Sequence, residues 1–257
     1  MVMHDEMDEE MQDEFGTMAA WTREAVTRLG PDHAIPAGCR GSGRPSGLDW
    51  LLARLGAGPG DPLLDVGAGL GGPAAYARAA AGVRPVCVEP MRAAAAGAAA
   101  LFDLPCVLGE GARLPLATGS FGLAWSLGTL CTTDEKAVWL GELRRVLRPR
   151  ARLGLLVVVA TGESFHVPWG NAFPSLGELR QLLAAGGLTV AEEAWTDDLP
   201  PAGGTWQRLE DAVDAAVREA HGQDERYAAV RDQERRMGGL VESGRVRGRL
   251  LATEVVA

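Results

Sequence analysis

The stretch from Leu63 to Met91 limits what this chain can fold into more than any other part of it. Leu63, Leu64 and Val66 form an apolar run that reads as a buried parallel strand, and the run breaks at Gly67, Gly69 and Gly71 ahead of an alanine-rich helix. Glycines this dense let the backbone turn sharply and bring a ligand against bare peptide groups. A second apolar strand, Val83 to Val88, ends in Glu89, where a carboxylate can accept two hydrogen bonds from ribose hydroxyls. Strand, glycine turn, helix, strand and acid together make a nucleotide cradle within an α/β fold.

Charge decides which nucleotide fits. Gly67, Gly69 and Gly72 satisfy G-x-G-x-x-G with an acid roughly 20 residues further on, the spacing of a dinucleotide site. Asp65, however, stands two residues before the first glycine, where a pyrophosphate would lie. A carboxylate there repels phosphates and attracts the ammonium of a methionine moiety, which disfavours an NAD-dependent oxidoreductase. The run Asp65-Val-Gly-Ala-Gly-Leu-Gly-Gly-Pro resembles motif I of class I S-adenosylmethionine-dependent methyltransferases. Its Gly-Leu-Gly-Gly-Pro variant is similar to small-molecule methyltransferases of the ubiquinone-biosynthesis-like group.

That resemblance implies S-adenosylmethionine as cofactor, held by Asp65, Gly67, Gly69, Gly71, Glu89, Pro90 and Met91. It also implies an adenine contact from Glu110-Gly111-Ala112, which stands where the family has Gly-Asp-Ala, and pocket positions at Ser126 and Leu127. The implied fold is a doubly wound, mostly parallel seven-stranded Rossmann-like sheet with an antiparallel last strand, an N-terminal helical cap and a helical insertion before that strand. The expected organisation is an acidic tail and cap over 1–45, a cofactor-binding core over 46–199 and 245–257, and a helical lid over 200–244.

Composition narrows the partners. The chain has 257 residues and a formal net charge of −9, whereas nucleic acid or an anionic membrane needs a positive field to release counterions. A small-molecule substrate is expected, with neither nucleic acid nor membrane as partner, in a monomer or homodimer with room for a heteromeric partner. Cys39, Cys87, Cys106 and Cys131 show no C-x-x-C pair or metal-ligand spacing, so no metal is expected and a reducing cytoplasm fits. The N-terminus lacks a signal-peptide pattern, and no apolar run reaches the ~20 residues of a membrane span.

Along the chain, residues 1–14 are an acidic run read as a solvated tail. Phe15, Met18, Thr22, Ala25, Val26 and Leu29 then recur at helical spacing, ending at Gly30-Pro31. Residues 31–47 read as a loop, and Ser46 with Asp49 as a capping box. Thr132 with Glu135, and Ser175 with Glu178, repeat the capping pattern. Val138, Trp139, Leu140, Leu143, Val146 and Leu147 supply a buried helical face, and Leu153 to Ala160 a central strand. Arg150-Ala151 stands where the resemblance would put a Gly-Gly turn, and Gly122 where it would put an Asp.

The acceptor half is less legible. Cys131, His33, His166, Trp169 and Asn171 are candidate substrate contacts, His166 being the candidate general acid or base. The leading function is methyl transfer to O, N or C of a small metabolite, in secondary metabolism. The alternatives are a methyltransferase fold repurposed for a non-methylating cyclisation or displacement in biosynthesis, and a degenerate partner subunit.

Overall fold

The structure is a computed structural model that describes residues 2–41, 43–162 and 171–256, with residues 2–13 described by their backbone alone. The helices are α1 (Val2–Leu29), α2 (Ala34–Gly38), α3 (Pro45–Leu55), α4 (Gly72–Ala81), α5 (Arg92–Phe102), α6 (Lys136–Val146), α7 (Leu176–Ala185), α8 (Gly204–His221) and α9 (Glu225–Glu242). The strands are β1 (Pro62–Val66), β2 (Arg84–Glu89), β3 (Cys106–Leu108), β4 (Phe121–Leu127), β5 (Leu147–Ala160), β6 (Leu188–Trp195) and β7 (Val246–Val255).

The strands form one sheet in the order β3-β2-β1-β4-β5-β7-β6. The first five run parallel, while β7 is antiparallel to both β5 and β6. This is the doubly wound, Rossmann-like sheet that the glycine turn and apolar strands imply. One face is sealed by Leu140, Leu143 and Val146 of α6 and Leu179 and Leu183 of α7, packed on Leu64, Val88, Leu153 and Leu155. The other carries α3 and α4, with Leu48, Leu51, Leu55 and Ala77 against Leu63, Leu123 and Trp125. Strand order reverses between β1 and β4, and in an open parallel sheet the crevice beyond the strand ends at that reversal is where a ligand binds.

Several local expectations are corrected. The acidic run is helical, forming the opening of α1. Within residues 31–47, Pro31–His33 form a 3-10 turn and α2 follows it, so that span is partly helical. Ser46 does not cap α3: the helix starts at Pro45, Ser46 Oγ donates to the Pro200 carbonyl at 2.7 Å, and Asp49 accepts from Tyr76 at 2.8 Å. Thr132 does not cap α6 either, because its hydroxyl turns back to the Thr129 carbonyl at 2.8 Å. Both pairs are drawn away by closer tertiary or local acceptors. The Ser175–Glu178 box on α7 forms with both reciprocal bonds.

Strand β5 begins at Leu147, six residues earlier than the apolar pattern indicates, and its ladder to β4 shifts register between Phe121 and Leu123. Residues 148–151 are thrown out as a bulge in which Arg150 adopts φ +61°. Val138 is 49% exposed, so the buried stripe of α6 is narrower than its sequence suggests.

Candidate functional site

The site is built where β1 ends. Asp65 is enclosed, with Cys87 on β2 and Trp125 on β4 as its register partners in the sheet. Gly67, Gly69 and Gly71 follow with φ of +76°, +56° and +78°, a left-handed succession that side chains resist. A Cβ built on Gly67 would lie 2.2 Å from Thr129 Cγ2, and one on Gly71 2.8 Å from Leu104 Cδ1, whereas one on Gly69 meets no atom within 4 Å. The two outer glycines are needed for packing. The middle one opens onto empty space, which is what a cradle presents to a ligand.

Glu89 closes the other side. Its Oε2 accepts from the Gly69 amide at 2.8 Å and its Oε1 from the Met91 amide at 3.0 Å, so one carboxylate ties the glycine turn to the start of α5. Burial raises its pKa, and those amide bonds oppose the rise. Each oxygen keeps a second lone pair for a hydroxyl donor.

Asp65 differs in kind. Its Oδ2 is buried and makes no hydrogen bond of good geometry among the described residues, and the neighbouring Trp125 indole N–H is unpaired as well, close enough to favour the charge but not bonded to it. Burial pushes its pKa from 3.8 up to about 7, with the Trp125 indole opposing the shift and the Glu89 charge adding to it. An enclosed carboxylate with one oxygen left unbonded is costly to ionise, and a cation beside it offsets that cost.

A model of the methyltransferase domain family matches residues 64–155, a span that holds Asp65, the three glycines and Glu89. Among solved structures the chain's fold is similar to the [4+2]-cyclase SpnF, at 20% identity and a TM-score of 0.66 over 82% of this chain and 80% of that one. It is also similar to the cyclopropane synthase MmaA2 from Mycobacterium tuberculosis, at 18% identity and TM-score 0.63 over 80% and 82% of the two chains. A third is a geranyl diphosphate C-methyltransferase from Streptomyces coelicolor A3(2), in complex with Mg2+, geranyl-S-thiolodiphosphate and S-adenosyl-L-homocysteine, at 18% identity and TM-score 0.59 over 81% and 75%. No curated protein matches the sequence.

Around the glycine turn the other candidate residues fall into three groups. Gly111 is buried against Trp139, whose ring a Cβ there would enter at 2.0 Å, and Glu110 beside it is exposed at the tip of a turn closed by the Arg113 amide. Ser126, Leu127 and Cys131 are enclosed. Ser126 Oγ donates to the Val66 carbonyl at 2.9 Å, joining the ends of β4 and β1, and the Cys131 thiol donates to the Gly128 carbonyl at 3.1 Å. These three lie buried at the carboxyl end of β4 and just beyond it, the edge of the sheet on which the glycine turn also stands. His33 closes its own turn through the Gly30 carbonyl at 3.3 Å, and Asn171 is half-buried near the Ala172 amide that bonds the Cys131 carbonyl. His166 and Trp169 lie outside the described residues.

The sequence reading missed the segment that packs across the carboxyl edge of the sheet beside the glycine turn. Residues 34–41 run from the start of α4 to the end of β4, with backbone on backbone. A Cβ on Gly72 would lie 2.1 Å from the Gly38 carbonyl carbon, and one on Gly128 2.7 Å from the Gly41 oxygen. Cys39 is buried there, its pKa raised first by burial and then by Glu210 and Asp65. Arg40 next to it pairs with Asp214 of α8 and, at 3.0 Å, with Glu234 of α9. The small residues Ala37-Gly38 and Gly41 were the available signal, since only small side chains permit such close contact.

Proposed function

We propose that this protein is an S-adenosylmethionine-dependent methyltransferase acting on a small-molecule metabolite. The observation that carries the reading is the buried, unbonded Asp65 Oδ2 next to the open cradle at Gly69. A cationic amino-acid tail satisfies that oxygen, and a diphosphate does not. Glu89, already oriented by two amides, has lone pairs left for the two ribose hydroxyls, and the turn at Gly111 and Ala112 borders the nucleobase side. S-adenosylmethionine, when bound, supplies a methyl group on an already activated sulfonium, so no metal or covalent enzyme intermediate is required.

The work left to the chain is positioning. Holding an acceptor atom in line at near-attack distance removes ~7–11 kcal/mol from a barrier of this kind. The roof formed by residues 34–41 and the lid role proposed for α8 and α9 exclude water from that alignment. Where the acceptor must lose a proton, His166 is the proposed base, a contribution of ~10²–10⁴-fold.

Calorimetry with S-adenosylmethionine and S-adenosylhomocysteine tests the reading, and no binding of either at millimolar ligand overturns it. One observation favours a second reading: a structure sharing the fold over most of both chains is a cyclase. Turnover of an acceptor without consumption of methyl groups would select that alternative.

A further inference from the structure

Two of the four cysteines face each other across neighbouring strands. Cys87 is the register partner of Cys106 in the β2–β3 ladder. Partners in a parallel ladder present their side chains to the same face, so the two thiols stand side by side on adjacent strands. The same row continues through Asp65 to Trp125, which puts the dithiol one strand away from the carboxylate of the proposed cofactor site.

The two sulfurs are unequal. Cys87 is fully enclosed, and the neighbouring Cys106, its burial and the Asp65 charge all keep it a thiol. Cys106 is half-buried on the short strand β3, and the Cys87 thiol beside it holds its pKa below the ordinary thiol value. An accessible sulfur favoured as thiolate, next to a buried thiol, has the layout of an oxidised and a resolving cysteine. Cys39 and Cys131 are enclosed, and burial raises both, which makes them inert by comparison.

The geometry points to a reversible Cys87–Cys106 disulfide, formed by a peroxide, that distorts the nucleotide edge of the sheet. The Cys106 thiolate attacks one peroxide oxygen: an S–O bond forms, the O–O bond breaks, and hydroxide leaves to be protonated to water. The Cys87 sulfur then attacks the sulfenic sulfur and gives up its proton: an S–S bond forms, the S–O bond breaks, and a second water leaves. In sum, two thiols and hydrogen peroxide give a disulfide and two waters, the sulfurs losing the two electrons that the peroxide gains.

Adjacent strands lie about 4.8 Å apart, whereas a disulfide holds its Cβ atoms at about 3.5–4.5 Å. Closing the bond therefore draws β2 and β3 together, and a bond made under that strain is easily reduced, as a switch requires. The pull reaches the site directly. Glu89 stands two residues past Cys87, and its carbonyl accepts from the Gly109 amide at 3.3 Å, three residues past Cys106. Its effect on ligand rests on the reading of Glu89 as a cofactor contact.

The test treats the full chain with a slight excess of hydrogen peroxide, alkylates the remaining free thiols and maps the peptides. A Cys87–Cys106 linkage that dithiothreitol reverses, with Cys39 and Cys131 still alkylated, is the expected result. Both cysteines free, or Cys106 driven to sulfinic acid without linkage, overturns the proposal. The S-adenosylhomocysteine Kd of the oxidised protein should rise about tenfold, an ordinary coupling strength, and return on reduction. In Cys106→Ser the Kd should be the same with and without peroxide. A mapped disulfide with unchanged Kd and Tm overturns the coupling. Failure of the reduced protein to bind instead counts against the proposed function, and the bond's effect on the sheet is then read from a Tm change on oxidation that Cys106→Ser lacks.

Discussion

Asp65 has opposite consequences for the empty fold and for its ligand. Its pKa is raised from 3.8 to about 7 by burial, so the native state holds a proton that the unfolded chain releases above pH 3.8. Its contribution to stability is complete below that value and is lost as pH rises through about 7, at a slope of about 1.4 kcal/mol per pH unit. Glu89 is shifted in the same direction and adds to the trend. Urea unfolding from pH 4 to 8 should show this decline in the wild-type chain and a flatter profile in Asp65→Asn, which should be the more stable of the two at pH 8. The same substitution should weaken S-adenosylhomocysteine binding by about 2–5 kcal/mol, the cost of removing one partner of a buried charge pair. For the wild type, affinity should rise with pH up to about 7 and then level off, with proton release on binding below that. A second contrast separates packing from ligand contact. Gly69→Ala meets only the left-handed strain of about 1–2 kcal/mol yet fills the cradle, so it should remain folded and lose ligand. Gly67→Ala, driven into Thr129, should lose fold stability as well.

At the scale of elements, the segment proposed as a roof over the crevice is held by identifiable contacts. Residues 34–41 are clipped to α8 and α9 through Arg40, whose partners are all partly solvent-exposed, so salt should weaken the clip. Arg40→Ala should raise amide exchange across 34–41 and speed dissociation of S-adenosylhomocysteine, both followed in stopped flow and exchange mass spectrometry at low salt. An unchanged exchange pattern would show that the clip does not hold the roof. The bulge at the start of β5 carries a different kind of strain: Arg150 sits exposed at φ +61°, where a side chain costs about 1–2 kcal/mol and glycine gives back part of that through unfolded-state entropy. Arg150→Gly should therefore raise stability by up to about 1 kcal/mol in urea titration, with ligand affinity unchanged. These elements mark the border of what could be read from the chain. Apolar runs and glycines set β1, β2 and the turn between them, because burial and backbone strain act within a few residues. The capping pairs at Ser46 and Thr132 failed because their acceptors, the Pro200 and Thr129 carbonyls, are chosen by tertiary contact or by a competing turn. Trp125 gave no signal as a neighbour of Asp65, since register between β1 and β4 depends on the whole sheet.

For the whole molecule, the cap and the helical insertion are not appendages to a finished core. Met18, Trp21, Ala25 and Val26 of α1 share one apolar cluster with Ala68 and Ala74 of the glycine turn and α4, Cys87 of β2, and Val213, Ala216 and Val217 of α8. Such a cluster buries surface from every layer at once, so removing one layer exposes the others. Trp21 is its keystone in geometric terms: its ring stacks on His221 at 4.4 Å and 10°, has Tyr227 at 6.5 Å, and lies under the Arg226 guanidinium at 5.3 Å. Trp21→Ala should cost about 3–5 kcal/mol, the usual range for emptying a buried aromatic site. If the cap, insertion and sheet are one cooperative unit, the loss should appear as a single shifted transition, with helix content by circular dichroism and tryptophan fluorescence moving together. Ligand affinity should fall with it, because the turn carrying Gly69 is packed by the same cluster. Two separated transitions, the later one at the wild-type midpoint, would show instead that the sheet and its glycine turn stand without the cap. In that case the roof over the crevice is a removable part, and ligand binding should survive the substitution.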